Sequence, residues 1–254
     1  MTAAIPSRVQ FRNVTKRFST KDVLLACNLD IAPGRFTALL GPSSCGKTTI
    51  IDLVAGYESP SEGEILVDGQ PVQGPGWDRL VVFPETAVFP WKSTMANVLF
   101  GPMNRKARGP DVRRQAGALL AKLGLDGLEG KYPNQLSGGM RRRAELARAL
   151  INSPKVMLLD QPFRGLDAMT RELMQEYLLR VFEDEPVTTI FVTTEIEEAI
   201  LLADQTILLT NTPAAVKQVI DVALPRPRNL KMLSSASFGE IQGAVLESFL
   251  EEAR

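Results

Sequence analysis

The chain has 254 residues, enough to bury the core of one large domain with a smaller lobe attached. Its 29 basic and 29 acidic residues cancel, so no net field draws it to nucleic acid or to an anionic membrane surface. Histidine is absent, which rules out histidine triads and histidine metal sites, and Cys27 and Cys45 match neither a disulfide framework nor a metal site.

In chain order, Met1-Thr2-Ala3-Ala4-Ile5-Pro6 lacks the charged start and apolar stretch of a leader. No later apolar run is long enough to cross a bilayer, so a cytosolic chain is expected. Residues 9–12 and 64–69 read as short alternating strands with turns, a small antiparallel sheet flanking the core. Residues 35–40 read as a buried strand feeding Gly41-Pro42-Ser43-Ser44-Cys45-Gly46-Lys47-Thr48, and residues 49–55, from Thr49, as a helix closed by Gly56. That spacing of two glycines and a Lys-Thr pair makes a phosphate-binding loop. The glycines let the backbone curl so that successive N–H groups point inward, next to a helix N-terminus that favours anions. Lys47 is placed to reach the terminal phosphates of a nucleoside triphosphate and Thr48 to ligate Mg²⁺. Cys45 reads as a small buried filler inside the loop, where oxidation would obstruct nucleotide.

Three further apolar strands, at residues 80–83, 155–159 and 189–193, run into Pro84, Asp160 and Thr194. In a parallel α/β sheet, ligands bind beyond the carboxyl ends of the strands, so these positions should converge on one cleft. Residues from about 85 to 152 read as an inserted helical lobe with breaks at Gly101-Pro102 and Tyr132-Pro133-Asn134. After Asn211 come the extended Leu224-Pro225-Arg226-Pro227-Arg228 and an amphipathic helix at about 241–250. Within the lobe, Leu136-Ser137-Gly138-Gly139-Met140 precedes a helical run over residues 141–150. Ser137 can cap it, and the glycines leave its first N–H groups bare for an anion. Arg141, Arg142 and Arg143 oppose the helix dipole in the first turn, a conflict that a nearby anion would relieve.

These motifs, taken with Phe89-Pro90-Trp91, Pro162-Phe163, residues 166–171, Glu197-Glu198-Ala199 and the Leu-Pro-Arg-Pro-Arg segment, resemble the nucleotide-binding subunits of ABC transporters over nearly the whole chain. The similarity is greatest to the ATPase subunits of bacterial nitrate, sulfonate, taurine and bicarbonate importers. The resemblance implies an α/β P-loop NTPase with a RecA-like parallel-sheet core, an antiparallel β-subdomain and an inserted α-helical subdomain. Residues 1–84 and 153–210 would form the core with the β-subdomain, about 85–152 the helical subdomain, and 211–254 a C-terminal tail. It also implies a head-to-tail dimer in which each ATP lies between the phosphate loop of one subunit and Ser137, Gly138, Gly139 and Met140 of the other. Phe18 would then stack on adenine, Asp160 would join Thr48 in holding Mg²⁺, and Asp167 would lie in the loop at the dimer interface. The remaining partners would be transmembrane permease subunits, which hold the chain at the cytoplasmic face of the membrane, and indirectly a solute-binding protein, with no nucleic acid.

Three positions depart from the family pattern. Gln161 stands where a glutamate polarises the attacking water, Thr194 where a histidine contacts the γ-phosphate, and Pro84 where a glutamine links Mg²⁺ to the helical lobe. An amide is no general base, and proline offers neither a side-chain acceptor nor an N–H. The expectation is a site that binds Mg·ATP with impaired hydrolysis, paired with a second, catalytically intact ATPase subunit in a heterodimer. An engineered Glu→Gln change would explain Gln161 but not Pro84 and Thr194. A non-hydrolytic structural or regulatory subunit, and a soluble cassette of translation or DNA repair, are the other readings. The latter usually resemble tandem cassettes or carry coiled-coil insertions, and neither is evident.

Overall fold

The computed structural model describes residues 5–105 and 110–252, so Met1–Ala4 of the segment read above for a leader lie outside the described residues. The chain opens with β1 (Val9–Phe18) and β2 (Lys21–Ile31), which pair antiparallel through several register shifts. Next come β3 (Phe36–Leu40), α1 (Lys47–Ala55), β4 (Glu62–Val67) and the two-residue β5 (Gln70–Pro71). One sheet has the order β2-β1-β4-β5 and is antiparallel throughout, as expected from the alternating N-terminal pattern. The second strand was not visible as such because its exposed and buried positions do not alternate cleanly.

After β6 (Arg79–Val82) the chain enters the helical lobe: α2 (Thr94–Val98), α3 (Phe100–Asn104), α4 (Pro110–Lys122), a 3-10 turn at Pro133–Gln135, and α5 (Gly138–Leu150). Gly101-Pro102, expected to break the helical run, instead lies inside α3, and the interruption falls at Leu99. Pro102 is in the first turn, where its missing N–H would have found no intrahelical acceptor. The chain then returns through β7 (Val156–Asp160), α6 (Ala168–Asp184), β8 (Thr188–Val192), α7 (Ile196–Leu202), β9 (Gln205–Leu209), β10 (Val216–Asp221) and α8 (Ala236–Glu252).

The larger sheet has the order β10-β9-β3-β8-β7-β6, parallel except for β10. Strands β3, β7, β8 and β9 are buried at every position, because both faces of the sheet are covered and an alternating pattern would place polar groups in a core. Period-two geometry divides them between two cores. Leu39, Leu158, Ile190 and Ile207 pack with α1 and the antiparallel sheet, whereas Ala38, Leu40, Leu159, Phe191 and Leu208 pack with α5, α6, α7 and α8. Part of the expected tail therefore belongs to the main sheet: β10 closes its edge, with half-exposed residues that carry no strong strand signal. Arg228, in the extended segment, is buried and donates to the carbonyls of Ile200, Leu201 and Ala203, which α7 leaves open at its C-terminal end.

Candidate nucleotide site

The parallel order brings the carboxyl ends of β3, β7 and β8 side by side, and a cavity of about 570 Å³ opens there. Its walls are Val23, Ser43, Ser44, Gly46, Lys47, Thr48, Thr49, Gln161, Arg164 and Thr194. Gly46 enters α1 at φ 109°, and a Cβ there would meet the Val23 side chain at 3.0 Å, so the turn requires glycine. No side chain caps α1, which leaves its N-terminal N–H groups directed at the cavity.

Lys47 is buried, and its Nζ donates to the carbonyls of Gly41 at 2.8 Å and Pro42 at 2.7 Å, with Cys45 Sγ at 3.7 Å. Gly41 packs on the Cys45 sulfur, where an added Cβ would lie at 2.8 Å, so Cys45 is the expected filler; burial raises its thiol pKa. Thr48 Oγ1 donates to Asp160 Oδ2 at 2.8 Å, joining the phosphate loop to the end of β7. Asp160 is buried, its carboxyl pKa is raised mainly by desolvation, and its other oxygen, Oδ1, has no hydrogen-bond partner. A buried anionic oxygen without a partner beside a threonine hydroxyl fits a divalent cation, and the curled loop fits phosphate.

Gln161 is half-buried at the cavity edge, with φ 44°, fixed by its N–H to Val192 O at 2.9 Å and by Arg164 N–H to its own carbonyl at 3.0 Å. Thr194 is exposed at the end of β8. Behind it Thr193 Oγ1 donates to the buried Glu198 at 2.6 Å, and burial raises the Glu198 carboxyl pKa. Val23 and Arg164 were not among the residues expected here, although a basic residue four positions after Asp160 was a readable signal. Phe18 lies at the exposed end of β1 with Lys16 Nζ 4.6 Å from its ring centre, and it does not line the cavity.

Pro84 and the Leu-Ser-Gly-Gly segment also lie outside this cavity. Ser137 caps α5 by accepting from Met140 N–H at 3.2 Å, and Ser137 and Gly138 are exposed. Gly139 is buried against the start of α6, where a Cβ would stand 2.4 Å from Thr170 Cγ2. Asp167 caps α6, accepting from Thr170 N–H at 3.0 Å and Thr170 Oγ1 at 2.7 Å, which holds its carboxyl below the usual range. The arginines that suggested an anion have other partners. Arg141 donates to Leu136 O, Arg143 to Leu123 O, and Arg142 to Phe83 O and Glu145, so carbonyls and a carboxylate offset the dipole conflict.

Of the aromatic pair at the head of the lobe, Phe89 packs on Phe100 with ring centres 4.6 Å apart, whereas Trp91 is 71 % exposed. A groove of about 350 Å³ lies beside them between core and lobe, lined by residues including Trp77, Leu80, Val81, Phe100 and Arg148. Among the described residues no helix is long and apolar enough to cross a membrane.

Comparison with known proteins bears on this geometry. Residues 24–164 match the ABC transporter family. The chain is 39 % identical over 246 residues to the nitrate import ATP-binding protein NrtD of Synechococcus elongatus, covering 90 % of this chain and 89 % of that protein. It is 37 % identical over 245 residues to the aliphatic sulfonates import ATP-binding protein SsuB of Bacillus cereus, covering 95 % of each. Among solved structures, a dimeric structure of MJ0796, a bacterial ABC transporter cassette, superposes with a TM-score of 0.73 at 28 % identity, over 85 % of this chain and all of that one.

Proposed function

The chain belongs to the ABC transporter family, and we propose that it is the ATP-binding subunit of an importer, working at the cytoplasmic face of the membrane with permease subunits and, through them, a solute-binding protein. Its own site binds Mg·ATP but hydrolyses it poorly, and its Ser137, Gly138, Gly139 and Met140 complete the site of a second, intact ATPase subunit. One observation carries this reading: the cavity joins Lys47, the Thr48–Asp160 pair and the open α1 N-terminus to Gln161 and Thr194. The first set binds phosphates and cation; the second offers no general base and no imidazole.

Thr48 and Asp160 would hold the cation, which when bound offsets phosphate charge. The chain's own residues do the rest. Lys47 exchanges the Gly41 and Pro42 carbonyls for phosphate oxygens, and the loop N–H groups fix their orientation. The Gln161 amide can orient a water but cannot take its proton. Phe18, exposed at the end of β1 with Lys16 Nζ over one side of its ring, would stack on a base. Segment 85–98, with the exposed Trp91 and the groove walled by Trp77 and Phe100, supplies the apolar surface for a permease subunit. The importers named among its relatives support a nitrate- or sulfonate-type assembly, whose selectivity would reside in the other subunits.

Measuring ATP affinity and steady-state phosphate release on the purified chain tests the proposal. Tight Mg·ATP binding with turnover at least about a hundredfold below that of the assembled complex is expected from loss of a positioned base. Robust turnover by the chain alone would overturn it. A non-hydrolytic structural or regulatory subunit would be separated from this reading by phosphate release from the assembled complex with each subunit's site disabled in turn.

A further inference from the structure

Loop 83–89 leaves the end of β6 for the helical lobe, and α5 grips it from one side. Residues Arg142, Glu145 and Arg148, three apart along α5, share one helix face. Arg142 is 2 % exposed. Its Nη1 donates to Phe83 O at 2.5 Å and to Glu145 Oε2 at 2.8 Å, and its Nη2 donates to Pro84 O. Glu145, also 2 % exposed, accepts from Ala87 N–H through Oε1 at 3.2 Å and stands 3.8 Å from Arg148. Arg148 Nη1 in turn donates to Ala87 O at 2.8 Å and lies over the Phe89 ring, 5.2 Å from its centre.

Every polar bond of this grip runs from an α5 side chain to loop backbone or to another α5 side chain; none passes through the side chain at 84. Burying the Arg142 guanidinium and the Glu145 carboxylate is costly unless their hydrogen-bonding capacity is used, and here the loop backbone, with the half-buried Arg148 alongside, provides the partners. We propose that Arg142, Glu145 and Arg148 are positioning residues forming a clamp that ties loop 83–89 to α5 whether or not nucleotide is bound. The core-to-lobe connection is thus set by a buried ionic latch, at a position where proline can make no side-chain link to a cation. The inference goes beyond the importer reading and stands on the geometry of α5 and the loop.

The Ala87 amide reports the clamp directly, because its acceptor is Glu145, while the Phe89 amide serves as a local reference because Asn97 Oδ1 accepts it at 2.8 Å. Residue-resolved hydrogen exchange on the full chain, without nucleotide and with saturating Mg·ATP, should give Ala87 protection equal within about twofold in the two states. Arg142→Gln should speed Ala87 exchange by about tenfold or more without nucleotide, with Phe89 and the β7 amides unchanged. Arg142→Met with Glu145→Met, which replaces the buried pair by apolar groups of similar bulk, should fold and show the same local loss. Free exchange at Ala87 that becomes protected only on adding Mg·ATP would overturn the clamp, as would unchanged Ala87 exchange in a folded Arg142→Gln chain. Nucleotide occupancy followed in the same samples separates failure of the ATP reading from failure of the clamp. If occupancy is nil, the two variants decide.

Discussion

Gly138→Asp separates a role in the fold from a role toward a partner. Gly138 is the first residue of α5, and a Cβ built there meets nothing within 4 Å. An exposed substitution of that kind changes stability by about 0.5 kcal/mol or less, and a carboxylate in the first helical turn adds about 0.3–1 kcal/mol in its favour. Gly139→Ala is the contrast. Its Cβ would stand 2.4 Å from Thr170 Cγ2, so either Thr170 rotates and gives up its hydroxyl bond to Asp167 or the helices move apart, at about 1–3 kcal/mol. If the segment faces the terminal phosphate of ATP on a partner subunit, the carboxylate introduced by Gly138→Asp places like charge against it. Two unit charges about 4 Å apart at an effective dielectric constant near 20 repel by about 4 kcal/mol, roughly a thousandfold in occupancy. Thermal unfolding of the isolated chain should therefore be unchanged by Gly138→Asp, while phosphate release by the reconstituted complex should vanish. Wild-type phosphate release from a Gly138→Asp complex would refute the reasoning, and a fall in melting temperature larger than that of Gly139→Ala would move the effect back into the fold.

Lys47→Ala should lower ATP affinity by about tenfold or more in a binding titration and reduce the complex only partly; damage equal to that of Gly138→Asp would mean the chain's own site contributes to turnover. Gln161→Glu alone should raise phosphate release by the isolated chain less than about tenfold, because Thr194 and Pro84 are still in place. For Asp160, burial favours the protonated form, so its folded pKa is raised. The associated stabilisation is full below the unfolded pKa and is lost as pH rises through the folded one, while Mg²⁺ must displace the proton. Mg²⁺ affinity measured against pH should begin to weaken on acidification at a higher pH than an ordinary carboxylate would give, and Asp160→Asn should weaken binding at every pH and flatten the profile.

The phosphate loop was legible because one short segment carries all its chemistry: strand, glycines, Lys47, Thr48 and helix follow one another without interruption. The buried strands ending at Asp160 and Thr194 were legible too, since parallel strands covered on both faces must be apolar throughout. What escaped depends on contacts distant in sequence. Nothing local to Arg142 predicts that it ends on the carbonyls of Phe83 and Pro84, so its place in the first turn of α5 suggested an anion instead. Strand β10 escaped because it is an edge, with half its residues solvated and a pairing supplied by β9. Arg164 reaches the cavity through the turn after Gln161, between β7 and α6; its basic side chain is visible in the sequence, but the direction of the turn is set by the strand and helix it joins.

Burial explains how a cassette could lose hydrolysis and keep its nucleotide. Lys47 and Asp160 are buried, and the Thr48–Asp160 bond joins the phosphate loop to β7 between the two cores. Changing Lys47 would strip the Gly41 and Pro42 carbonyls of their donor, so the fold resists its loss. Changing Asp160 would undo the bond from Thr48, although its buried carboxylate is itself a cost to the fold. Thr194 is exposed at a strand end, Gln161 is half-buried and held by its backbone, and Pro84 meets α5 through its carbonyl. Side chains at these three positions can be exchanged with little cost to stability. A subunit freed from hydrolysing its own ATP, while its α5 N-terminus still serves a partner, would therefore change first at positions of this kind.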